Sequence, residues 1–97
     1  MRTLMKFNIP VEAGNQAGSA IEETLRQTVA TLKPEAAYFY PEAGRRGGFF
    51  VFDLKSPSDL PMIAEPLFRR LHANVQFFPV MSADDLAEGL KKIQSAV

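Results

Sequence analysis

The sequence predicts an α+β fold in the element order βαββαβ, followed by a C-terminal helix. Four short apolar segments bounded by turn residues predict strands, and two longer segments with apolar residues at helical spacing predict the helices between them. Right-handed crossovers then give an antiparallel sheet of order 4-1-3-2 with both helices on one face. Pro41 and Pro79 fall in the second and fourth strands, which this order places at the edges, where proline is tolerated. We expect one domain, residues 1–97.

The first strand is predicted at residues 3–9, because apolar and polar side chains alternate there and Pro10 follows. One face of this strand carries Met5, Phe7 and Ile9, and the other carries Leu4, Lys6 and Asn8. Gly14 and Gly18 then predict a loop.

The first helix is predicted to begin at Ser19, because Ser19 and Glu22 have the spacing of a capping box. Its apolar face consists of Ile21, Leu25, Val29 and Leu32. Pro34 ends the helix because proline cannot continue the hydrogen-bond ladder.

The second and third strands are predicted at residues 36–40 and 48–54, joined by a turn-rich segment short enough for a hairpin. The third strand is apolar on both faces, with Phe49 and Val51 on one and Phe50 and Phe52 on the other. A sheet with one face in water would alternate cleanly, so both faces are expected to be covered. A second copy of the sheet is the simplest cover, and a ligand pocket is the rival explanation.

The second helix follows N-cap oxygens at Ser58 and Asp59, and its apolar face includes Ile63, Leu67 and Leu71. The fourth strand is predicted at residues 75–81. A last helix begins at Ser82, and its apolar stripe is Leu86, Leu90, Ile93 and Val97.

Residues 48–80 carry a resemblance to a known superfamily. They contain VFD at 51–53, EPLF at 65–68 and FPV at 78–80. The chain resembles the dimeric α/β-barrel superfamily of ferredoxin-like domains, which includes muconolactone-isomerase-like and YCII-related proteins and the antibiotic-biosynthesis monooxygenases. The resemblance implies a dimer in which two four-stranded sheets pack face to face. It implies no catalytic residue, because YCII-related proteins carry an early histidine and none precedes His72 here.

Composition excludes several classes of function. Eleven basic and eleven acidic residues give zero formal net charge, so neither nucleic acid nor an anionic membrane is an expected partner. The absence of cysteine removes thiol catalysis and zinc–thiolate sites, and a single histidine removes a two-histidine metal site within one chain. We therefore expect no metal and no cofactor. No signal peptide or membrane-spanning segment is evident, which makes a cytoplasmic protein the expectation.

Seven residues are candidate ligand-binding residues. Lys6, Asn8, Tyr38 and Tyr40 are polar groups on otherwise apolar strands, while Glu65, Phe68 and His72 lie in the second helix. His72 also lies where a helix end favours a cation, so capping is its simpler role.

Pro66 falls inside the second helix, where it either kinks a continuous helix or begins a second helical piece. A kink would open a cavity, and the hypothesis is that Glu65, Phe68, Lys6 and Asn8 share it. If Met5, Phe7 and Ile9 face the helices, Lys6 and Asn8 lie on the other side of the sheet, so the hypothesis also tests the parity of the first strand.

Three further motifs have simpler explanations. Residues 46–52 superficially resemble the basic-Gly-aromatic strand of RNA-recognition motifs, but the chain is neutral and RNA binding is not expected. Arg45 and Arg46 are a solvated hairpin tip or a carboxylate site. Asp84 and Asp85 fit the first turn of a helix better than a catalytic pair.

The functional hypothesis is a small-ligand-binding or interaction domain that acts as a homodimer. The alternative is a cofactor-independent enzyme, of isomerase or monooxygenase type, acting on a small apolar substrate. Its acid–base chemistry would fall to Glu65, His72, Lys6 or a tyrosine, since no thiol or metal set is present.

Overall fold

Four antiparallel strands form a single sheet in the computed structural model, which describes residues 1–96. The strands are β1 (Arg2–Ile9), β2 (Ala36–Glu42), β3 (Arg45–Asp53) and β4 (Asn74–Pro79). Their order is β2-β3-β1-β4, so the predicted order 4-1-3-2 is confirmed, and Pro41 and Pro79 do lie in the edge strands. The helices are α1 (Val11–Ala17), α2 (Ala20–Leu32), α3 (Leu60–Leu71) and α4 (Ala83–Ala96), with a 3-10 turn at Pro57–Asp59. This arrangement is compatible with a ferredoxin-like fold.

The core lies between the sheet and the helices, and its side chains follow the predicted strand faces. Met5, Phe7 and Ile9 of β1 are buried, and their neighbours on β3, Phe50 and Phe52, are buried with them. The helices cover this side with buried side chains of α2 and α3, namely Leu32, Ile63, Leu67 and Leu71. Phe49 and Val51 therefore point to the opposite side of the sheet.

The short helix α1 occupies the segment predicted as a loop, so that prediction was wrong for residues 11–17. Gly14 is buried inside α1 and accommodates another segment: a Cβ atom there would lie 2.4 Å from Nη1 of Arg46. Gly18, with a φ of 56°, does end the helix. Thus Gly18 is a turn glycine, whereas Gly14 is present because an arginine side chain passes close to it.

The predicted capping box at Ser19 was also wrong. Ser19 has helical backbone angles, and its side chain makes no capping hydrogen bond. Helix α1 ends only two residues earlier, so Ser19 does not have the extended backbone that an N-cap residue normally adopts. A complete capping box is present instead at the start of α4. The Ser82 hydroxyl accepts from the Asp85 N–H at 3.1 Å, and the Asp85 carboxylate accepts from the Ser82 N–H at 3.0 Å.

Helix α3 is continuous from residue 60 to residue 71 with Pro66 inside it. The alternative in which Pro66 begins a second helical piece was therefore wrong. His72 is exposed and forms the C-cap of α3 in a left-handed conformation, with its N–H donating to the Phe68 carbonyl at 3.0 Å.

Helix α4 extends away from the rest of the fold. The Cα radius of gyration is 15.9 Å, whereas a compact domain of this length has about 12.5 Å. Within residues 1–96, no strand or other helix packs closely against α4. None of the described helices is both long and apolar enough to cross a membrane. The predicted stripe residue Val97 lies outside the described residues.

Candidate functional site

The side of the sheet opposite the helices, which we call the open face, has no cover within the described chain. Strand pairing brings together the residues that alternate with the core positions, and the register sets them in rows across the sheet. The side chains of the open face include Leu4, Lys6, Asn8, Tyr38, Tyr40, Glu42, Arg45, Phe49, Val51, Gln76 and Phe78.

One end of the open face is apolar. Leu4 on the central strand β1 lies directly between Val51 of β3 and Phe78 of β4. In the next row, the Tyr38 ring packs against Phe49 with 5.7 Å between ring centroids. Tyr38 nevertheless remains 63% exposed and Phe78 43% exposed. Aromatic surface of this kind usually marks a site of contact with another molecule.

The other end of the open face carries an ion pair between Lys6 and Glu42. Hydrogen bonding to Glu42 raises the pKa of Lys6, so the ammonium form is stabilised. The side chain of Glu42 reaches Lys6 across Gly47, where a Cβ atom would lie only 3.4 Å from the Glu42 Cβ. The second carboxylate oxygen of Glu42 is buried and has no hydrogen-bond partner in the part of the chain that the structure describes.

Asn8 lies at the centre of a second polar group in the adjacent row. Its side-chain oxygen accepts from Asn74 Nδ2 at 3.0 Å and from Arg45 Nη1 at 3.5 Å. The Arg45 guanidinium is therefore held on the open face, and it makes no ion pair with any described residue. The polar end thus carries the Lys6–Glu42 ion pair and, beside it, a guanidinium that has no ion-pair partner among the described residues.

The structure brings together four of the seven predicted site residues, since Lys6, Asn8, Tyr38 and Tyr40 share the open face. The others, Glu65, Phe68 and His72, are exposed on or next to α3, on the opposite side of the sheet. Glu65 forms an ion pair with Arg69 at 3.0 Å, one turn along the same helix. The hypothesis of a cavity shared by the two groups was therefore wrong, because the parity of β1 separates them.

Two members of the site, Glu42 and Asn74, were missed by sequence reasoning. Both lie at strand ends, and each contacts a residue of β1 that is more than 30 positions away in the sequence: Glu42 contacts Lys6, and Asn74 contacts Asn8. A charged residue directly after Pro41 on an edge strand was the only local signal for Glu42.

The exposed apolar stripe of α4 is a second uncovered surface. Leu86, Leu90 and Ile93 are 48%, 50% and 61% exposed, although they recur at the spacing of a packed helical face. An amphipathic helix of this kind becomes stable by burying its apolar face against a partner.

The charged groups with displaced pKa values all favour their ionised forms. Beyond Lys6, hydrogen bonds from Lys55 and the N-terminal ammonium lower the pKa of Asp53 to about 2. The cap with Ser82 lowers the pKa of Asp85. Within residues 1–96, no three His, Asp or Glu side chains gather closely enough to hold a metal ion. Compared with known proteins, the chain matches no family model and no curated protein sequence.

Proposed function

We propose that this protein acts as a homodimeric interaction module of the dimeric α/β-barrel type. In this proposal the open faces of two copies pack against each other, and the apolar stripe of each α4 packs on the partner. The observation that supports it best is the open face itself, where aromatic and aliphatic side chains stand on strands that no described element covers.

The chemistry of the open face suits a second copy. In a two-fold dimer the same patch meets itself, so a surface with complementary charges can pair them across the axis. The polar end of the open face carries one acidic group, Glu42, and two basic groups, Lys6 and Arg45, and the Arg45 guanidinium has no ion-pair partner among the described residues. The apolar end, around Leu4 and Phe78, would supply the desolvated centre of the contact.

The size of the two uncovered surfaces agrees with a stable interface. Four strands about 4.8 Å apart, paired over about six residues of about 3.3 Å each, make an open face of roughly 400 Å² in plane area. Helix α4 has 14 residues and adds roughly 200 Å² on a face about 10 Å wide. Specific interfaces bury about 800 Å² of accessible surface per partner, and a side-chain-covered face has more accessible area than plane area. The open face and α4 together reach this size, which the sheet alone does not.

The test compares two phenylalanines of nearly equal exposure on opposite sides of the sheet. Phe78 on the open face is 43% exposed, and Phe68 on α3 is 42% exposed. Light scattering of the parent at micromolar concentration should give twice the 10.8 kDa of the chain. Phe78→Glu should shift the protein to monomer, whereas Phe68→Glu should leave the dimer intact.

The expected size of this effect follows from burial. Covering the exposed part of two symmetry-related Phe78 rings contributes about 2 kcal/mol to association, and a buried unpaired glutamate adds a penalty. The dimer dissociation constant should therefore rise by about 30-fold or more. A parent that is a folded monomer at these concentrations refutes the proposal. Equal dissociation of both variants shows that the interface is not the open face.

A further inference from the structure

A cleft lies on the helix side of the sheet, between α2 and the β2–β3 hairpin, and we call it the helix-side cleft. Its volume is about 640 Å³, within the range of small-molecule sites. Most of its lining is apolar and includes Phe7, Ile9, Val11, Ile21, Leu25 and Phe39. Phe39 is largely exposed even though its ring lies edge-on to Phe7 and Phe50. A ligand in the cleft would cover that ring.

Arg46 brings a positively charged group to this apolar surface. Its Nη2 donates to the Asn15 side-chain oxygen at 2.9 Å, and its Nη1 donates to the Val11 carbonyl at 3.4 Å. The guanidinium also passes so close to Gly14 that a Cβ atom there would be 2.4 Å from Nη1. Helix α1 therefore holds the guanidinium in one place, which lowers the entropy lost when it binds an anion.

The charge of Arg46 is not neutralised by the protein. Both of its acceptors are uncharged, and no carboxylate of residues 1–96 lies within ion-pair distance of it. Arg2, Arg26 and Arg69, in contrast, each pair with a glutamate. A guanidinium has more N–H donors than two acceptors use, so Arg46 retains donors that fit the two oxygens of a carboxylate.

We propose that the helix-side cleft binds a small aromatic or aliphatic carboxylate, with the carboxylate on Arg46 and the hydrocarbon against Phe39, Ile21 and Leu25. A purely apolar molecule would leave the guanidinium unpaired, and a purely inorganic anion would leave the apolar lining exposed. The apolar part of the cleft lies on the opposite side of the sheet from the open face, and at the hairpin the cleft also reaches Tyr40 and Arg45. The carboxylate is assigned to Arg46 because the Arg45 guanidinium is hydrogen-bonded to Asn8 on the open face.

The binding test uses three probes and isothermal titration. Sodium 2-naphthoate should bind the parent, and the neutral isostere 2-naphthamide should bind about tenfold or more weakly, because it lacks the charge-assisted hydrogen bonds. Inorganic phosphate should show no binding at the same concentrations. Equal affinity for naphthoate and naphthamide, or no naphthoate binding up to millimolar concentration, overturns the proposal.

Two variants assign the anion to Arg46. Arg46→Gln removes the charge and should weaken naphthoate binding by about 10- to 100-fold. Gly14→Ala keeps the charge but displaces the guanidinium, because the new methyl group occupies its place. Alanine suits the interior of α1 better than glycine, so Gly14→Ala should fold and still bind naphthoate more weakly.

Arg69→Gln is the matched control, since it removes the same charge from an exposed site on α3. It should leave naphthoate affinity unchanged. Parent-like affinity in both Gly14→Ala and Arg46→Gln would place any binding elsewhere and overturn the proposal. A loss in Arg69→Gln as large as that in Arg46→Gln would show a general charge effect and would also overturn it.

Discussion

Replacing Pro66 with alanine should stabilise the protein, because Pro66 lies inside a helix that is continuous from residue 60 to residue 71. Proline has no N–H to donate to the carbonyl of Met62, and its ring crowds that carbonyl. Alanine restores the hydrogen bond and removes the steric conflict.

The magnitude follows from three opposing contributions. Proline in a helix interior costs about 3 kcal/mol relative to alanine. Alanine gives the unfolded chain more freedom, which offsets about 0.7 kcal/mol of that gain. The half-buried ring of Pro66 lines a groove with Thr24 and Ile63 of α2 and α3, and removing its methylenes offsets about another 0.8 kcal/mol. The net gain is about 1.5 kcal/mol, which corresponds to a Tm increase of roughly 6–12 °C.

Pro61 provides the control within the same helix. It occupies the first turn of α3, where the backbone N–H has no acceptor in the helix. Pro61→Ala should therefore lower the free energy of unfolding by about 0.4–1 kcal/mol through the unfolded chain alone. Calorimetry or urea unfolding of the parent and both variants measures the two effects with opposite signs.

The reasoning is refuted if Pro66→Ala lowers the Tm, or if the two alanine variants shift it in the same direction. A lower Tm for Pro66→Ala would mean that packing of the Pro66 ring outweighs the missing hydrogen bond. A higher Tm for both variants would mean that the gain does not come from the interior position of Pro66. Binding of 2-naphthoate should be unchanged in both variants, because neither proline lines the helix-side cleft.

Two further predictions concern charged and capping groups. Hydrogen bonding to Lys55 lowers the pKa of Asp53 to about 2 in the folded protein, below its ordinary value of 3.8. Its stabilisation is therefore present above that ordinary value and is lost as the pH falls toward 2, so Asp53→Asn should flatten the dependence of Tm on pH between 4 and 2. Ser82→Ala removes the cap of α4 and should weaken that helix by about 1 kcal/mol. Faster amide exchange in the first turn of α4 measures this loss, and unchanged exchange there would contradict the assigned cap.

The topology was predictable because each strand carries its own local signals. Alternation in β1 indicated which side chains face the core, and the edge prolines independently indicated the strand order. The prediction failed where a residue's role depends on a distant segment. Gly14 looks like a loop residue in its local sequence, but it lies in a helix beside the Arg46 side chain. Arg46 is 31 residues away from its hydrogen-bond partner Asn15, so no local pattern indicates this contact.

The same distinction separates the parts of the open face that were predicted from those that were missed. Lys6 and Asn8 follow from the parity of a single strand. The position of Glu42 depends on the register of two strand pairs, which no local pattern gives. The absence of a side chain at Gly47 is visible in the sequence, but it gains its meaning only once that register is known. Glu65 lies with the helices on the core side of the sheet, so a cavity shared with Lys6 and Asn8 conflicts with the predicted parity of β1, which the structure confirms.

The central position of β1 has a consequence for biosynthesis. This strand leaves the ribosome before both of its neighbours, β3, which begins at residue 45, and β4, which begins at residue 74. Until β3 has been translated, both hydrogen-bonding edges of β1 stay unpaired, and one edge stays unpaired until β4 follows. Such long-range pairing slows folding, and it leaves an unpaired apolar strand that can associate with other nascent chains. A lower growth temperature weakens the hydrophobic association of exposed strands and should therefore raise the yield of folded protein.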